Sequence, residues 1–127
     1  MKYLLDTHAI LWYFEDSSEL PYKIVEIIDN PDISIYVSSV SLWEITLKMN
    51  LNKLDFSMTL DELINIIESH DFNVIQIESE YLKKLSELPF IHKDPFDRMI
   101  ISTAISEDLT IITVDDNIQK YNVSWIW

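Results

Sequence analysis

Four acidic residues have the positions and chemistry that a reaction centre would need. They stand where predicted strands end or predicted helices begin: Asp6, Glu44, Asp97 and Asp115. If the strands are parallel, their carboxyl ends share one edge of the sheet, so these side chains would lie close together. Four neighbouring carboxylates repel and raise one another's pKa values unless a cation lies among them. Oxygen ligands suit Mg²⁺ or Mn²⁺ rather than Zn²⁺, and such cations activate water, so the residues indicate a metal-dependent phosphodiesterase site.

The helix that begins near residue 95 offers a simpler explanation for two of the acids in that region. Asp94 stands at the N-cap position, Pro95 at the first helical position and Asp97 three residues after the cap. Both carboxylates could therefore do no more than cap this helix and complement its dipole. Asp6, directly after the first predicted strand, could likewise serve only as a helix cap.

Glu44 has its own capping alternative. Ser41 and Glu44 have the S-x-x-E spacing of a capping box, and Thr59 and Glu62 have the same spacing. We assign Glu62 to capping alone because it follows a loop that looks exposed. Glu44 instead follows a strand that is predicted to be buried, and we place it in the site.

Composition limits the possible functions. The 127 residues, nearly half of them hydrophobic, fit one folded domain that spans residues 1–127. The absence of cysteine excludes disulfides, thiolate metal sites and a cysteine nucleophile, and it agrees with a reducing cytoplasm. The absence of glycine excludes a Gly-rich phosphate loop and a dinucleotide fingerprint. No apolar run approaches the ~20 residues of a membrane span and no signal peptide is evident, so we expect a cytoplasmic protein without a membrane segment.

The formal net charge of −13 bears on the partners of the protein. It argues against a broad nucleic-acid surface, because phosphate binding normally needs patches of Lys and Arg. An acidic enzyme can still act on nucleic acid if bound divalent cations neutralise its carboxylates. The acidity also suits a basic protein partner.

The pattern of apolar residues predicts an alternation of strands and helices. Strands are expected at residues 3–5, 33–37, 72–77, 109–114 and 122–127. Helices are expected at residues 9–14, 21–28, from the serines at 38–41 to about 50, and at 60–67, 78–87, 95–105 and 117–121. The alternation predicts an α/β fold with a central, mostly parallel sheet of about five strands and helices on both faces.

Four motifs span essentially the whole chain. They are Leu4-Leu5-Asp6-Thr7-His8, Ser41-Leu42-Trp43-Glu44-Ile45, His92-Lys93-Asp94-Pro95-Phe96-Asp97-Arg98 and Ile112-Thr113-Val114-Asp115. In this order and at this spacing they closely resemble the PIN-domain ribonucleases, and among them the VapC-like toxins of bacterial type II toxin–antitoxin modules. The resemblance implies a PIN-like three-layer fold and a Mg²⁺-dependent endoribonuclease that cleaves RNA and is inhibited by a cognate antitoxin.

The resemblance also gives roles to the acids. Asp6 and Asp97 match the central metal ligands of the family, and Glu44 matches the acid that completes the site directly or through water. Asp115 matches the fourth acid. Asp116 adds a carboxylate where a neutral residue is more usual, and we prefer Asp115 because it directly ends the predicted strand.

Four further residues are matched as neighbours of the site. Thr7, His8 and Arg98 would steer ligands or RNA. Asp94 is matched as a helix cap first and as an outer acid of the site second. The spacing does not distinguish one bound metal ion from two.

Apolar side chains predict protein partners. Trp12, Tyr13, Phe14, Trp43 and the helix at 60–67 cannot all be buried easily in so small a domain. We therefore expect a homodimer, together with an antitoxin whose peptide lies across this apolar groove and places a basic side chain near the acids.

Two other classes of function stay open on the sequence. One is a catalytically degenerate PIN-like module that binds a protein partner. The other is a metal-dependent phosphodiesterase that acts on DNA or on small phosphate esters with the same acids.

Overall fold

A five-stranded sheet forms the middle layer of the molecule. The structure, a computed structural model, describes all residues from Met1 to Trp127. The strands are β1 (Lys2–Leu5), β2 (Ser34–Ser38), β3 (Phe72–Ile75), β4 (Thr110–Ile112) and β5 (Trp125–Ile126). They lie in the order β3-β2-β1-β4-β5, and every neighbouring pair is parallel. The predicted α/β fold with a parallel sheet of about five strands is confirmed, although β4 and β5 are shorter than expected.

Seven helices connect and cover the strands. They are α1 (Thr7–Phe14), α2 (Tyr22–Asp29), α3 (Ser39–Asn50), α4 (Leu60–Ser69), α5 (Ser79–Glu87), α6 (Pro95–Glu107) and α7 (Asp116–Gln119). The residues of α1, α2 and α4 pack against one face of the sheet, and those of α6 and α7 pack against the other. The three-layer arrangement is therefore confirmed. None of the helices combines the length and the hydropathy that a bilayer crossing requires.

The sheet is buried on both faces because helices cover each of them, and successive strand residues point to opposite faces. Leu5 and Ile112 belong to the core under α1, α2 and α4. Leu4 and Ile111 belong to the core under α6 and α7. This two-sided burial explains why the central strands are continuously apolar rather than alternating.

Helix α3 joins the first core to a small apolar cluster between α3, α5 and α6. Its Ile45 lies in the core with α1 and α4, whereas its Val40 packs with Tyr81 of α5 and Met99 of α6. The helix thereby connects both outer layers at the carboxyl edge of the sheet, where β2 ends at Ser38.

The apolar residues of the predicted groove are partly covered. The aromatic residues at 12–14 are half-buried, and Leu63 and Ile67 of α4 are fully buried in the first core. The aromatic rings have their own partners: Trp12 contacts Trp127, and Tyr13 and Phe14 contact His70 and Phe72. Neighbouring elements thus cover part of this surface, and a groove that receives an antitoxin peptide stays a prediction. Trp43 alone of this set is exposed, at 55%.

Three residues adopt the left-handed conformation in a chain that has no glycine: Asp16, Asn52 and Asp108. Asp108 ends α6 with φ 54° and ψ 50°, and its N–H bonds to the carbonyls of Ala104 and Ile105. Asp and Asn tolerate this conformation better than other residues with a Cβ, because their short polar side chains can hydrogen-bond locally.

We expect Asp108→Gly to be more stable than Asp108→Ala by about 1 kcal/mol, because a left-handed alanine is strained and glycine is not. Chemical denaturation of the two purified variants measures the difference. Both variants remove the same exposed carboxylate, so charge cancels in the comparison. Equal stability would contradict a conformational requirement at this position.

Candidate functional site

The topology brings the predicted acids to one crevice. The chain adds strands to one side of β1 up to β3 and then places β4 on the other side, which opens a crevice between β1 and β4 at the carboxyl edge. Leu5 pairs with Ile112 at this edge, and the N–H of Asp6 donates to the carbonyl of Ile112 at 3.1 Å. Asp6 therefore lies directly beside the end of β4.

Asp6 is both a helix cap and a buried acid. Its carboxylate accepts a hydrogen bond of 2.8 Å from the N–H of Ala9, as the N-cap of α1, and only 3% of the residue is exposed. Burial raises its pKa from 3.8 to about 6, opposed by hydrogen bonds from the Thr113 side chain and the Ala9 N–H. The charges of Asp115 and Glu44 raise this pKa further. Asp6 therefore caps α1, as the alternative predicted, and burial destabilises its charged form at the same time.

Asp97 has a similar environment in the first turn of α6. Burial raises its pKa to about 6, and the neighbouring charge of Asp94 is the next contribution. A hydrogen bond from His92 opposes the shift, whereas the charges of Asp115 and Glu44 add to it. The same two charges therefore act on Asp97 and on Asp6, so the structure brings all four predicted acids into one electrostatic cluster.

Asp115 rather than Asp116 belongs to this cluster. Asp115 is the N-cap of α7 and accepts a hydrogen bond of 2.8 Å from the N–H of Asn117. Its charge reaches both Asp6 and Asp97. Asp116 is the exposed first residue of α7 and forms no side-chain hydrogen bond or ion pair.

Glu44 is buried between two partners that fix its carboxylate. Its Oε1 lies 2.7 Å from the hydroxyl of Thr7, and its Oε2 lies 2.9 Å from the ammonium of Lys48. The Thr7 hydroxyl also lies 3.0 Å from the hydroxyl of Ser41. Thr7 therefore lies in contact with Glu44, and Ser41 and Lys48 are two further neighbours of these side chains.

The capping alternative for Glu44 is wrong. Helix α3 begins at Ser39, three residues earlier than the spacing of Ser41 and Glu44 implied, and the side chain of Ser38 accepts a hydrogen bond from the N–H of Val40. Glu44 consequently lies in the second turn, too far along the helix to cap it. The equivalent capping box at Thr59, the N-cap of α4, is confirmed with both of its hydrogen bonds.

His92 is a neighbour of Asp97 that the sequence motifs did not single out. Its Nε2 lies 3.2 Å from Oδ2 of Asp97, and its Nδ1 lies 2.8 Å from the hydroxyl of Tyr121. Its position just before Pro95, within the most polar motif of the chain, was a signal. Its partner Tyr121, which fixes the ring, is far away in sequence and could not be inferred from spacing.

Arg98 is engaged by the loop that precedes α6. Its buried guanidinium donates to the carbonyl of Pro89 at 2.7 Å and to the hydroxyl of Tyr121 at 3.0 Å, and it lies 4.1 Å from the centre of the Phe90 ring. It forms no ion pair with a carboxylate. The structure therefore gives Arg98 a structural contact with the loop that carries His92, rather than a position among the acids.

The two remaining predicted neighbours have local partners. Asp94 is the N-cap of α6 and accepts hydrogen bonds from the N–H groups of Phe96 and Asp97, at 2.9 and 3.0 Å, which confirms its capping role. His8 is exposed, and its ring lies 5.4 Å from that of Trp12.

The donor set suits a hard divalent cation. Its four side chains offer only carboxylate oxygens, which Mg²⁺ and Mn²⁺ prefer, and the raised pKa values of Asp6 and Asp97 show that their charges lack compensation. No three carboxylate or imidazole groups of the structure converge to metal-ligand spacing. Oε2 of Glu44 is bonded to Lys48 and Oδ2 of Asp97 to His92, and these contacts orient the two carboxylates.

Comparison with known proteins places this geometry in a family. The sequence profile described as "PIN domain" matches residues 3–123. No protein with a curated description matches significantly. Among solved structures, the chain is similar to VapBC2 from Rickettsia felis bound to a DNA fragment from its promoter (19% identity, TM-score 0.74, covering 100% of this chain and 99% of that one).

Two further solved structures show the same likeness. One is DNA-bound VapBC from Salmonella typhimurium, with 19% identity, a TM-score of 0.70, and 99% of this chain and 97% of that one covered. The other is VapBC-1 from nontypeable Haemophilus influenzae, with 19% identity, a TM-score of 0.69 and the same coverage. At this identity the likeness concerns the fold.

We expect Asp6→Asn to stabilise the metal-free protein at pH 7.5, by 1 to about 3 kcal/mol. The pKa of Asp6 is raised in the folded state, so the folded protein binds the proton more tightly than the unfolded chain. Stability therefore falls as pH rises from about 4 to about 6, and the full penalty persists above pH 6. Asparagine keeps an oxygen for the Ala9 N–H and removes the charge.

Thermal and urea unfolding in EDTA at pH 5 and pH 7.5 measure this effect. Asp116→Asn, at an exposed residue, is the matched control and should leave the pH dependence unchanged. If Asp6→Asn destabilised the metal-free protein at pH 7.5, the buried charge would not be the dominant constraint at this position.

Proposed function

Because the chain belongs to the PIN domain family, we propose that it is a Mg²⁺-dependent endoribonuclease that acts as the toxin of a type II toxin–antitoxin system. The observation that carries the proposal is the shared electrostatic cluster: the pKa values of buried Asp6 and Asp97 are both raised to about 6, and both respond to the charges of Glu44 and Asp115. A fold that retains such an unfavourable cluster of acids supports a catalytic use for it.

The four acids would hold Mg²⁺, with Mn²⁺ as an alternative. Bound there, the cation would supply activation of water and neutralise charge that develops on the scissile phosphate. The carboxylates of Asp6 and Asp97 are raised in pKa by burial, so they must lose their protons before they can act as ligands.

Two residues would position the acids rather than react. The hydroxyl of Thr7 fixes Oε1 of Glu44, and the ring of His92 fixes Oδ2 of Asp97. Tyr121 orients that ring through Nδ1, in the way that outer hydrogen bonds commonly orient the side chains that bind metals. Loss of these contacts would loosen the acids without removing them.

A cognate antitoxin is the protein partner that we propose. VapBC2 from Rickettsia felis and VapBC from Salmonella typhimurium share the fold, as does a toxin–antitoxin complex from Klebsiella pneumoniae. The formal charge of −13 favours a basic partner segment, which would place a cationic side chain near the acids and compete with the metal. A ribonuclease toxin of this kind would act on RNA in the cytoplasm.

We expect the purified protein to make discrete cuts in a pool of cellular RNAs when Mg²⁺ is present and to make none in EDTA. Asp97→Asn and Asp6→Asn should each reduce the cleavage rate by at least 100-fold, because each removes a charge needed to bind the cation. Cut sites are read by sequencing the new RNA ends. At limiting Mg²⁺ the cleavage rate should also fall below about pH 6, because protons then compete with the cation for Asp6 and Asp97.

Asp116→Asn is the control and should cleave normally, since its side chain is exposed and lies outside the cluster. Cleavage that both Asp6→Asn and Asp97→Asn retained would indicate a contaminating nuclease. A folded protein that cuts no RNA with Mg²⁺ or Mn²⁺ would favour a degenerate binding module. Faster cutting of DNA oligonucleotides than of RNA would favour a different phosphodiesterase.

We also propose a homodimer, because apolar side chains on and beside strand β3 and helix α5 remain exposed: Val74, Ile77 and Leu82. Light scattering at micromolar concentration should give twice the mass of the chain. Leu82→Glu should shift the protein to the monomer without unfolding it, because the residue is half-exposed. A monomeric wild-type protein would contradict the proposal.

A further inference from the structure

Two aromatic rings, one exposed and one half-buried, bridge the helices that carry Glu44 and Asp97. Trp43 of α3 and Phe96 of α6 contact each other edge to face, with ring centres 5.1 Å apart and planes at 79°. Trp43 immediately precedes Glu44, and Phe96 immediately precedes Asp97. The ring pair therefore joins helices α3 and α6 at the residues that directly precede these two acids.

The two rings differ in exposure. Phe96 is half-buried and packs against the small core of Val40, Tyr81 and Met99, which holds it in place. Trp43 is 55% exposed, the highest exposure among the four tryptophans. A large ring that is held from behind but remains open to solvent loses little conformational freedom when a flat ligand stacks on it.

Two basic side chains near the acids are engaged, whereas Lys93, between His92 and Asp94, is exposed and forms no ion pair. Lys48 is bonded to Oε2 of Glu44, and the guanidinium of Arg98 is buried against loop carbonyls. A formal charge of −13 and a single free lysine in this motif give weak electrostatic attraction for a polyphosphate chain. Contacts that do not depend on charge would then add to the affinity for RNA.

We propose that Trp43, supported by Phe96, is the stacking platform for an unpaired base beside the scissile phosphate. Every base has a flat aromatic face, so stacking binds single strands without a requirement for cations. The inference rests on the proposed ribonuclease function and deepens it, since it makes single-stranded RNA the substrate at the cut. Bases in a duplex are stacked on each other and could not use the platform.

Direct binding is the first test. Fluorescence anisotropy with a fluorescein-labelled pool of random 12-nucleotide RNAs, in Mg²⁺, compares Asp97→Asn with the double variant Asp97→Asn/Trp43→Leu, so that the RNA stays intact. We expect the added Trp43→Leu change to weaken binding by roughly 5- to 100-fold, the usual range for loss of one stacked base. Trp43→Phe should restore most of the affinity because it keeps an aromatic face.

Trp125→Leu is the matched control, because Trp125 is 42% exposed but lies on β5, away from Glu44 and Asp97. It should bind RNA as the parent does. The logarithm of the binding constant should fall with the logarithm of salt concentration with a slope of roughly −1, the value for one or two phosphate contacts on a single strand.

Steady-state cleavage is the second test. Once a cut site is mapped, an oligonucleotide that carries it is made with one abasic residue at each successive position. For the wild-type protein, an abasic residue at one position next to the cut should raise KM as much as the Trp43→Leu change does with the intact RNA. Combining that abasic RNA with Trp43→Leu should add no further loss, because the base and the ring form one contact. The kcat should change less than KM.

The outcomes separate this inference from the proposed function. If the Trp43→Leu variant cleaved RNA with an unchanged KM, this result would overturn the stacking platform and leave the proposed ribonuclease function intact. Unchanged RNA binding together with lost antitoxin binding would likewise overturn it and make Trp43 a protein contact. Binding that depends on Trp43 in a protein that never cleaves would support the platform and overturn the ribonuclease.

Discussion

The structure depends on the burial of carboxylates at the carboxyl edge of a parallel sheet. Asp6 is 3% exposed, and burial raises its pKa and that of Asp97 to about 6, so both would be less strained as neutral acids. The fold tolerates these buried charges at neutral pH because N–H groups at helix starts and nearby hydroxyls donate hydrogen bonds to the carboxylate oxygens. A bound cation would relieve the remaining repulsion, which links the stability of the metal-free protein to the proposed chemistry.

Helix capping and acid chemistry are two uses of the same side chains here. Asp6 and Asp115 each cap a helix with one oxygen, and the charge of each is felt within the cluster. A carboxylate at a helix N-terminus is stabilised by the N–H groups and the helix dipole, which is how a buried charge can be held there at all. Treating the cap and the site as alternatives, as the sequence invites, would be a mistake.

Helix α3 decides what surrounds the acids. It contributes Ile45 to the core under α1, α2 and α4, and Val40 to the small cluster with Tyr81 of α5 and Met99 of α6, so contacts on both sides fix its orientation. That orientation buries Glu44 between Thr7 and Lys48 and leaves Trp43, the preceding residue, half in solvent. Adjacent residues of one helix thus place one side chain in the polar interior and the next in solvent, which is the basis for the base-stacking inference.

The sequence by itself determined the α/β class, the five strands and the set of four acids, because buried parallel strands are continuously apolar and acids follow their ends. Packing overturned one alternative that the sequence offered, the capping box of Ser41 and Glu44, because the N-cap of α3 is Ser38. Only the tertiary structure joined His92 to Tyr121 and placed Arg98 against its loop. Those contacts join residues far apart in sequence, or side chains whose direction depends on packing, and neither leaves a periodic trace in the chain.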